Sequence, residues 1–145
     1  MNTSINVYEE KPPEKLPMKK KPSVMTAREL ETYEMLLEAF PKNMWIVLAQ
    51  VAQSAFIEAP FKRRWEIEKS FVDFLLCNKH GVPVCVIELD DSTHERKRVK
   101  EIDGYKDGRF KEAGLPVVRL KEIPKSTIEL LREVLGKKVL KTIAE

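Results

Sequence analysis

The sequence predicts an α/β domain in which helices cover both faces of a central mixed sheet. Helix-capping motifs open amphipathic or charged segments at three places along the chain. Apolar strand segments lie between the first and second of these helices, and a shorter strand precedes the third. The resulting order of helix, strands, helix, strand and helix is typical of a layered sheet with helices on both sides.

Length and composition limit the class of protein. The 145 residues suffice for one domain and are too few for two. The net charge is only +3, so total charge neither requires nor excludes a nucleic-acid partner. No apolar run approaches the roughly 18 residues of a membrane span, so no membrane contact is expected. The polar N-terminus resembles no signal peptide and two cysteines make no disulfide scaffold, which together predict a cytoplasmic location.

The first 23 residues differ from the rest of the chain. They contain four of the nine prolines and the lysine run Lys19–Lys21. A segment of this composition cannot bury enough apolar surface to order itself, so residues 1–23 are predicted to be a flexible tail. It is either a linker or a basic arm that contacts nucleic acid. The folded domain is predicted to span residues 24–145.

A capping box marks the first helix. Thr26 and Glu29 form the box, and Met25 is placed to pack against Leu30. Apolar residues then recur at helical spacing up to Pro41, at Leu30, Tyr33, Leu36, Leu37 and Phe40. Glu34 falls on the margin of this stripe, where a carboxylate needs a partner.

The remaining elements are read from strand patterns and caps. Residues 44–57 read as one strand or a strand pair. The strongest strand signals are 71–77 and 82–90, separated by turn residues 78–81. A charged helix is expected from about 93 to 113 with Gly114 as its stop, then a strand over 115–120 and a final helix capped by Ser126.

Alternation along the two central strands places three carboxylates on one face. If the turn takes an even number of residues, Cys77 pairs with Val82, and Asp73 lies diagonal to Glu88. Asp73, Glu88 and Asp90 then share a face. Diagonal neighbours lie about 7–8 Å apart, close enough to bridge one cation. A lone strand Asp is usually structural, but converging buried carboxylates need compensation, which Mg²⁺ or Mn²⁺ supplies directly.

A zinc site built from Cys77, His80, Cys85 and His94 is the competing metal hypothesis. The same alternation sends the two cysteines to opposite faces of the sheet. Four ligands would then fail to converge on one tetrahedral centre. Both cysteines are predicted to be small core residues.

The residues around the carboxylates resemble a known superfamily. Val72-Asp73-Phe74 followed by Val86-Ile-Glu-Leu-Asp-Asp-Ser-Thr-His94 is similar to the core of the PD-(D/E)XK nucleases, near the very-short-patch-repair endonucleases. More narrowly, residues 24 to 121 resemble the bacterial domain of unknown function 2726. The resemblance implies a three-layer α/β/α restriction-endonuclease-like fold with a central mixed sheet.

The resemblance also implies roles for individual residues. The two acidic positions of the superfamily map to Asp73 and Glu88, and Glu34 matches a helical carboxylate that supports the metal site. The superfamily's lysine would fall at Asp90, where this sequence has none. His94 or Lys106 is a candidate replacement.

The expected activity is metal-dependent hydrolysis of DNA phosphodiester bonds, in repair, mobile-element transfer or defence. Asp73, Glu88, the Leu89 carbonyl and Asp90 are expected to hold Mg²⁺ or Mn²⁺, with Asp90 or His94 as the base. The residues expected to contact nucleic acid are Lys62, Arg63, Arg64, Arg96, Lys97, Arg98, Lys100 and Lys106. The alternative is a catalytically silent nucleic-acid-binding or assembly module. The sequence leaves open whether the substrate is DNA or RNA and whether it is single- or double-stranded. It also leaves open whether the protein forms a homodimer.

Overall fold

A computed structural model describes residues 16–90 and 108–136 of the chain. Its centre is a four-stranded sheet whose spatial order follows the sequence: β1 (Trp45–Ala52), β2 (Phe71–Asn78), β3 (Pro83–Leu89) and β4 (Val117–Leu120). The first three strands are antiparallel neighbours, and β4 runs parallel to β3. The predicted α/β class with a mixed sheet is therefore confirmed. No helix within these residues is long and apolar enough to cross a membrane.

Two helices cover one face of the sheet. They are α1 (Ala27–Ala39) and α2 (Thr127–Val134). The predicted capping box of α1 is confirmed, since the Thr26 hydroxyl accepts from Glu29 N and the Glu29 carboxylate accepts from Thr26 N. Ser126 caps α2 by accepting from Glu129 N. Apolar side chains of both helices pack on alternate residues of β2 and β3, among them Leu36, Phe40, Leu130, Val134, Phe74, Leu76, Cys85 and Ile87.

The buried stripe of α1 differs from the predicted one. Leu30 and Leu37 are exposed, whereas Thr32 is buried beside Leu36. The helix can bury Thr32 because its hydroxyl donates to the Arg28 carbonyl at 2.9 Å, which satisfies the polar group. This rotation leaves Glu34 exposed, so the expected position on the stripe margin is wrong.

A helical segment covers the other face of the sheet. Residues 108–112 are helical, and Phe110 packs with Leu75 and Val86 in a second apolar cluster. Gly114, at φ +74°, ends the segment as predicted. Gly114 N donates to Lys111 O and Leu115 N to Phe110 O, which is the Schellman pattern for a helix end. The predicted start of this helix lies outside the described residues.

The β2–β3 hairpin has a different register from the predicted one. Asn78 N donates to Val82 O, so the loop takes three residues and Gly81 adopts a left-handed φ of +81°. A bulge follows, because Leu76 pairs with Cys85 while Cys77 pairs with Pro83. The predicted Cys77–Val82 pairing is therefore wrong. The error is one residue at Cys77 and two residues from Leu76 to Asp73. A shift of two preserves the face on which each side chain lies.

Between β1 and β2 the chain forms two 3₁₀ helices, Gln53–Ala55 and Phe61–Glu66. Residues 44–57 thus hold a single strand, and the alternative of a strand pair is wrong. Cys77 and Cys85 are free, buried and divided between the two apolar clusters, as alternation predicts. Burial raises the pKa of the Cys85 thiol to about 12 and also raises that of Cys77.

Candidate functional site

One level of the sheet carries a polar residue on every strand. Glu88 of β3 is the register partner of Arg119 of β4. Extending the β2–β3 register by one residue beyond Phe74 and Ile87 sets Asp73 opposite Glu88. The β1–β2 register sets Gln50 at the level of Asp73. We call Gln50, Asp73, Glu88 and Arg119 the polar row.

Asp73 and Glu88 face each other across the two central strands, and each carboxylate accepts a hydrogen bond from a backbone amide of the opposite strand. Asp73 N donates to Glu88 Oε2 at 3.2 Å, and Leu89 N donates to Asp73 Oδ2 at 2.8 Å. Glu88 is only 8% exposed. Asp73 lies opposite Glu88 on one side, and Arg119 is the register partner of Glu88 on the other, so charges of both signs meet at this level of the sheet.

The backbone is irregular beside this pair. Gln50 has a φ of +55°, which is uncommon for a residue other than glycine, and the β1–β2 ladder skips the level of Asp73. The Gln50 side chain turns toward α1, where Nε2 donates to Glu29 Oε2 at 2.9 Å. Such strained positions persist where the surrounding structure holds them, and they concentrate at functional sites.

Asp90 continues β3 past Glu88 and is held from two sides. Its carboxylate Oδ1 accepts from Arg119 NH1 at 2.9 Å in a partly buried ion pair. Arg28 of α1 donates to the Asp90 carbonyl and to the Lys121 carbonyl, each at 2.8 Å. These contacts join the ends of β3 and β4 to α1. The Arg28 contacts fix the backbone next to Glu88. The contact with Asp90 holds the Arg119 guanidinium beside the Asp73–Glu88 pair.

Sequence reasoning missed Arg119 as a site residue. The sequence does contain an indication, because Arg119 is the single charged residue in the apolar strand segment Leu115–Leu120. Local sequence pattern does not reveal which strand pairs with β4. The position of Arg119 beside Glu88 could therefore not be predicted. The register makes Arg119 the cationic neighbour of Glu88 on β4.

The other predicted site residues divide into three groups. Asp73, Glu88, Leu89 and Asp90 lie together at one end of β2 and β3. Glu34 lies apart from them, exposed on α1, which packs against the opposite face of the sheet. The predicted residues outside the described part of the chain are His94, Arg96, Lys97, Arg98, Lys100 and Lys106.

The predicted cations before β2 have unequal surroundings. Lys62 and Arg64 are exposed. Arg63 instead bonds two carboxylates, Glu66 Oε2 at 2.6 Å and Glu112 Oε1 at 2.6 Å. These hydrogen bonds lower the pKa of both glutamates. Arg63 therefore anchors the 3₁₀ helix to residues 108–112, and only its two neighbours remain directed toward solvent.

Asp73 and Glu88 are the two carboxylates of the polar row that could hold a divalent cation. Across residues 16–90 and 108–136, no three His, Cys, Asp or Glu side chains are arranged to enclose a metal ion. Mg²⁺ does not need such a cage, because it retains several waters and is commonly bound through one or two carboxylates. Asp73 and Glu88 supply that number of hard oxygen ligands.

The chain belongs to the family described as "Protein of unknown function (DUF2726)", whose model matches residues 21–139. The narrower of the two predicted resemblances is thereby confirmed. The match spans both central strands and the polar row. No curated protein and no solved structure matches the chain significantly.

Proposed function

We propose that this protein is a metal-dependent endonuclease that hydrolyses DNA phosphodiester bonds on a PD-(D/E)XK-type, restriction-endonuclease-like scaffold. The observation that carries the proposal is the Asp73–Glu88 pair. Two carboxylates on adjacent central strands face each other, each fixed by a backbone amide. This order, an Asp on one strand and a Glu on the next, followed by a helix and a further strand, is the arrangement that the superfamily resemblance implies.

The pair suits a divalent cation. Each carboxylate offers about four lone-pair positions, and each accepts a hydrogen bond from a backbone amide of the opposite strand. The backbone amides of Asp73 and Leu89 restrain the two carboxylates. Metal binding would therefore cost little additional side-chain entropy. A bound Mg²⁺ or Mn²⁺ would polarise the phosphodiester and activate a water.

Arg119 is the candidate for the charge that the superfamily places on its lysine. A guanidinium cannot lose its proton in this setting and presents several donors in a fixed plane. Arg119 sits beside Glu88 in the register and bonds Asp90, the position where the lysine would fall. Fixed cations at a scissile phosphate stabilise the charge that develops in the transition state.

Asp90 acts on this reading as a positioning residue. Its carboxylate orients Arg119, and its carbonyl is held by Arg28. His94, the other candidate base, follows four residues later in the chain. It remains the candidate to accept the proton of the attacking water.

The test compares wild type with Asp73→Asn and Glu88→Gln on supercoiled plasmid and on single-stranded DNA. Both amide variants retain an oxygen that accepts from the same backbone amide, so the fold should survive while the ligand charge is lost. Glu38→Gln, at an exposed position of α1, is the matched control. The proposal expects cutting in Mn²⁺ or Mg²⁺ by wild type and control, with no cutting by either site variant or in chelator.

The silent-module alternative has its own distinguishing result. The departure at Asp90 from the superfamily lysine favours it. A wild type that binds DNA but cuts neither substrate with any divalent ion would replace the nuclease proposal with this one. Cutting that persists in chelator, or in Glu88→Gln, would reject the proposed mechanism.

A further inference from the structure

The 3₁₀ helix Phe61–Glu66 displays two large aromatic side chains to solvent. Phe61 is 81% exposed and Trp65 is 74% exposed. Aromatic residues bury about 150–250 Å² each when packed, so leaving two of them on one surface turn forgoes substantial stabilisation. Exposed apolar surface of this kind, set among charges, is typical of an interaction site. We call Phe61–Trp65 the aromatic–basic segment.

The segment is held in place. Pro60 precedes it, and Ile67, which follows it, is only 5% exposed. Arg63 bonds Glu66 within the turn and reaches Glu112 through two hydrogen bonds of 2.6 and 3.0 Å. The exposed rings therefore project from a positioned turn, so that binding need not first order the backbone.

Two exposed cations, Lys62 and Arg64, lie between the rings in the sequence. The third cation of the turn, Arg63, bonds Glu66 and Glu112 instead of facing solvent. The Arg64 guanidinium lies 5.5 Å from the centre of the Phe61 ring, so cation and aromatic face form one surface. Flat aromatic faces interleaved with cations match a partner that carries flat bases and phosphates.

The segment also lies on the appropriate side of the sheet. Glu112, its anchor, belongs to residues 108–112, whose Phe110 packs on Leu75 and Val86. Leu75 and Val86 lie two residues from Asp73 and Glu88 along the same two strands. Eight residues separate Trp65 from Asp73, so their Cα atoms are at most about 28 Å apart. At about 3.4 Å per stacked nucleotide, roughly eight nucleotides reach from one to the other.

We infer that the aromatic–basic segment binds unpaired nucleotides of DNA, with bases stacking on Phe61 and Trp65 and phosphates contacting Lys62 and Arg64. The inference rests on the proposed function for its choice of DNA and deepens that function by naming the substrate class. Single-stranded stretches suit the segment, because the bases of an intact duplex are stacked on each other and leave no face for an aromatic ring. Because 28 Å is the upper limit of the separation, an unpaired strand, tail or loop of about eight nucleotides is long enough to reach both the segment and the Asp73–Glu88 pair.

The experiment measures binding in chelator, where cleavage plays no part. Fluorescein-labelled twelve-nucleotide oligo-dT and a twelve-base-pair duplex are titrated with wild type, Trp65→Ala, Trp65→Phe and Ile128→Ala. Ile128, on α2, is 62% exposed and serves as the matched control. We expect Trp65→Ala to weaken oligo-dT binding about tenfold, with Trp65→Phe intermediate and Ile128→Ala unchanged. The duplex should bind more weakly and respond little to Trp65→Ala.

A second pair of variants tests the cations. Lys62→Gln with Arg64→Gln should reduce the slope of log affinity against log salt by about 1.4, as expected for two phosphates on a single strand. Lys42→Gln with Lys125→Gln, two exposed lysines elsewhere, should leave the slope unchanged. Circular dichroism confirms that each variant is folded.

The outcomes separate this inference from the proposed function. Oligo-dT binding that depends on Trp65, in a protein that never cuts, supports the inference while the nuclease proposal fails. A protein that cuts with Mn²⁺ but binds oligo-dT equally well with and without Trp65 overturns the inference alone. Trp65-dependent binding to phosphatidylserine vesicles without binding to oligo-dT also overturns it, in favour of a membrane surface.

Discussion

Asp73 and Glu88 each hold the backbone of the strand opposite through a carboxylate oxygen. Asp73 N donates to Glu88 Oε2 at 3.2 Å, while Asp73 Oδ2 accepts from Leu89 N at 2.8 Å. These contacts lie one residue beyond the backbone pairing of β2 with β3, which runs from Phe74 to Cys77. The same oxygens thus serve the sheet and the proposed metal site. For this reason amide substitutions separate the two roles better than alanine does.

Replacing Arg119 tests the proposed cation of the site. Arg119→Met removes the charge next to Glu88 and leaves the Asp90 carboxylate without its 2.9 Å donor. We expect a loss of about 1–2 kcal/mol in the free energy of unfolding and a fall of about 100-fold or more in the cleavage rate. Arg119→Lys keeps a charge and should lose less of both.

The control for this measurement is Arg132→Met, which removes an exposed arginine from α2. Urea unfolding and single-turnover cleavage are measured on all variants. An Arg119→Met protein that is destabilised yet cuts at the wild-type rate would assign Arg119 a structural role only.

The common face of Asp73 and Glu88 was predictable, whereas their register was not. Alternation along two apolar strands depends only on local sequence. The register depends on the loop and on a bulge. Here a three-residue loop shifts the pairing by one, and the extra residue Val84 shifts it by one more. The two shifts add to two, so Asp73 and Glu88 lie on a common face in the observed register as in the predicted one.

The Arg63 clamp makes stability depend on pH. Hydrogen bonds and charge from Arg63 lower the pKa of Glu66 and Glu112 below the ordinary value of 4.5. Carboxylates with a lowered folded-state pKa stabilise the fold fully above the unfolded value, and that contribution is lost as pH falls through the folded value. We therefore expect stability to decline below about pH 4.5, more steeply in wild type than in Arg63→Gln.

The measurement is urea unfolding from pH 7 to pH 3. Arg64→Gln is the control, because the Arg64 guanidinium is exposed and contacts the Phe61 ring instead of a carboxylate. Parallel pH profiles for wild type and Arg63→Gln would contradict the clamp. Glu112 is solvent-exposed and Glu66 is only partly buried, so high salt should reduce the difference.

Long-range partners explain the residues that the sequence did not reveal. Arg63 was expected to contact nucleic acid, but its partner Glu112 lies 49 residues away. Arg119 pairs with Asp90 across 29 residues. Both contacts depend on the order of the strands and on how the layers pack. Sequence periodicity predicts neither contact. The caps at Thr26 and Ser126 and the stop at Gly114 were predictable because their hydrogen bonds are local.

The cysteine thiols should be unreactive in the folded protein. Burial raises the pKa of Cys85 to about 12, and the Cys77 pKa is raised by the same cause. The thiolate is the reactive form, so alkylation by iodoacetamide at pH 8 should be slow until urea unfolds the chain. Mass spectrometry after timed labelling measures this. Rapid labelling of Cys85 without denaturant would contradict its placement between the sheet and the helices α1 and α2.

The central claim is that Asp73 and Glu88 form one divalent-cation site, and calorimetric titration with Mn²⁺ tests it most directly. We predict one Mn²⁺ bound per wild-type chain and per Glu38→Gln control chain, with binding abolished in both Asp73→Asn and Glu88→Gln. The same metal should raise the unfolding temperature of wild type and of Glu38→Gln, but of neither site variant, by the equivalent of about 2.7 kcal/mol at 100 times the dissociation constant. Equal Mn²⁺ binding by wild type and Glu88→Gln, with both folded, would contradict the claim.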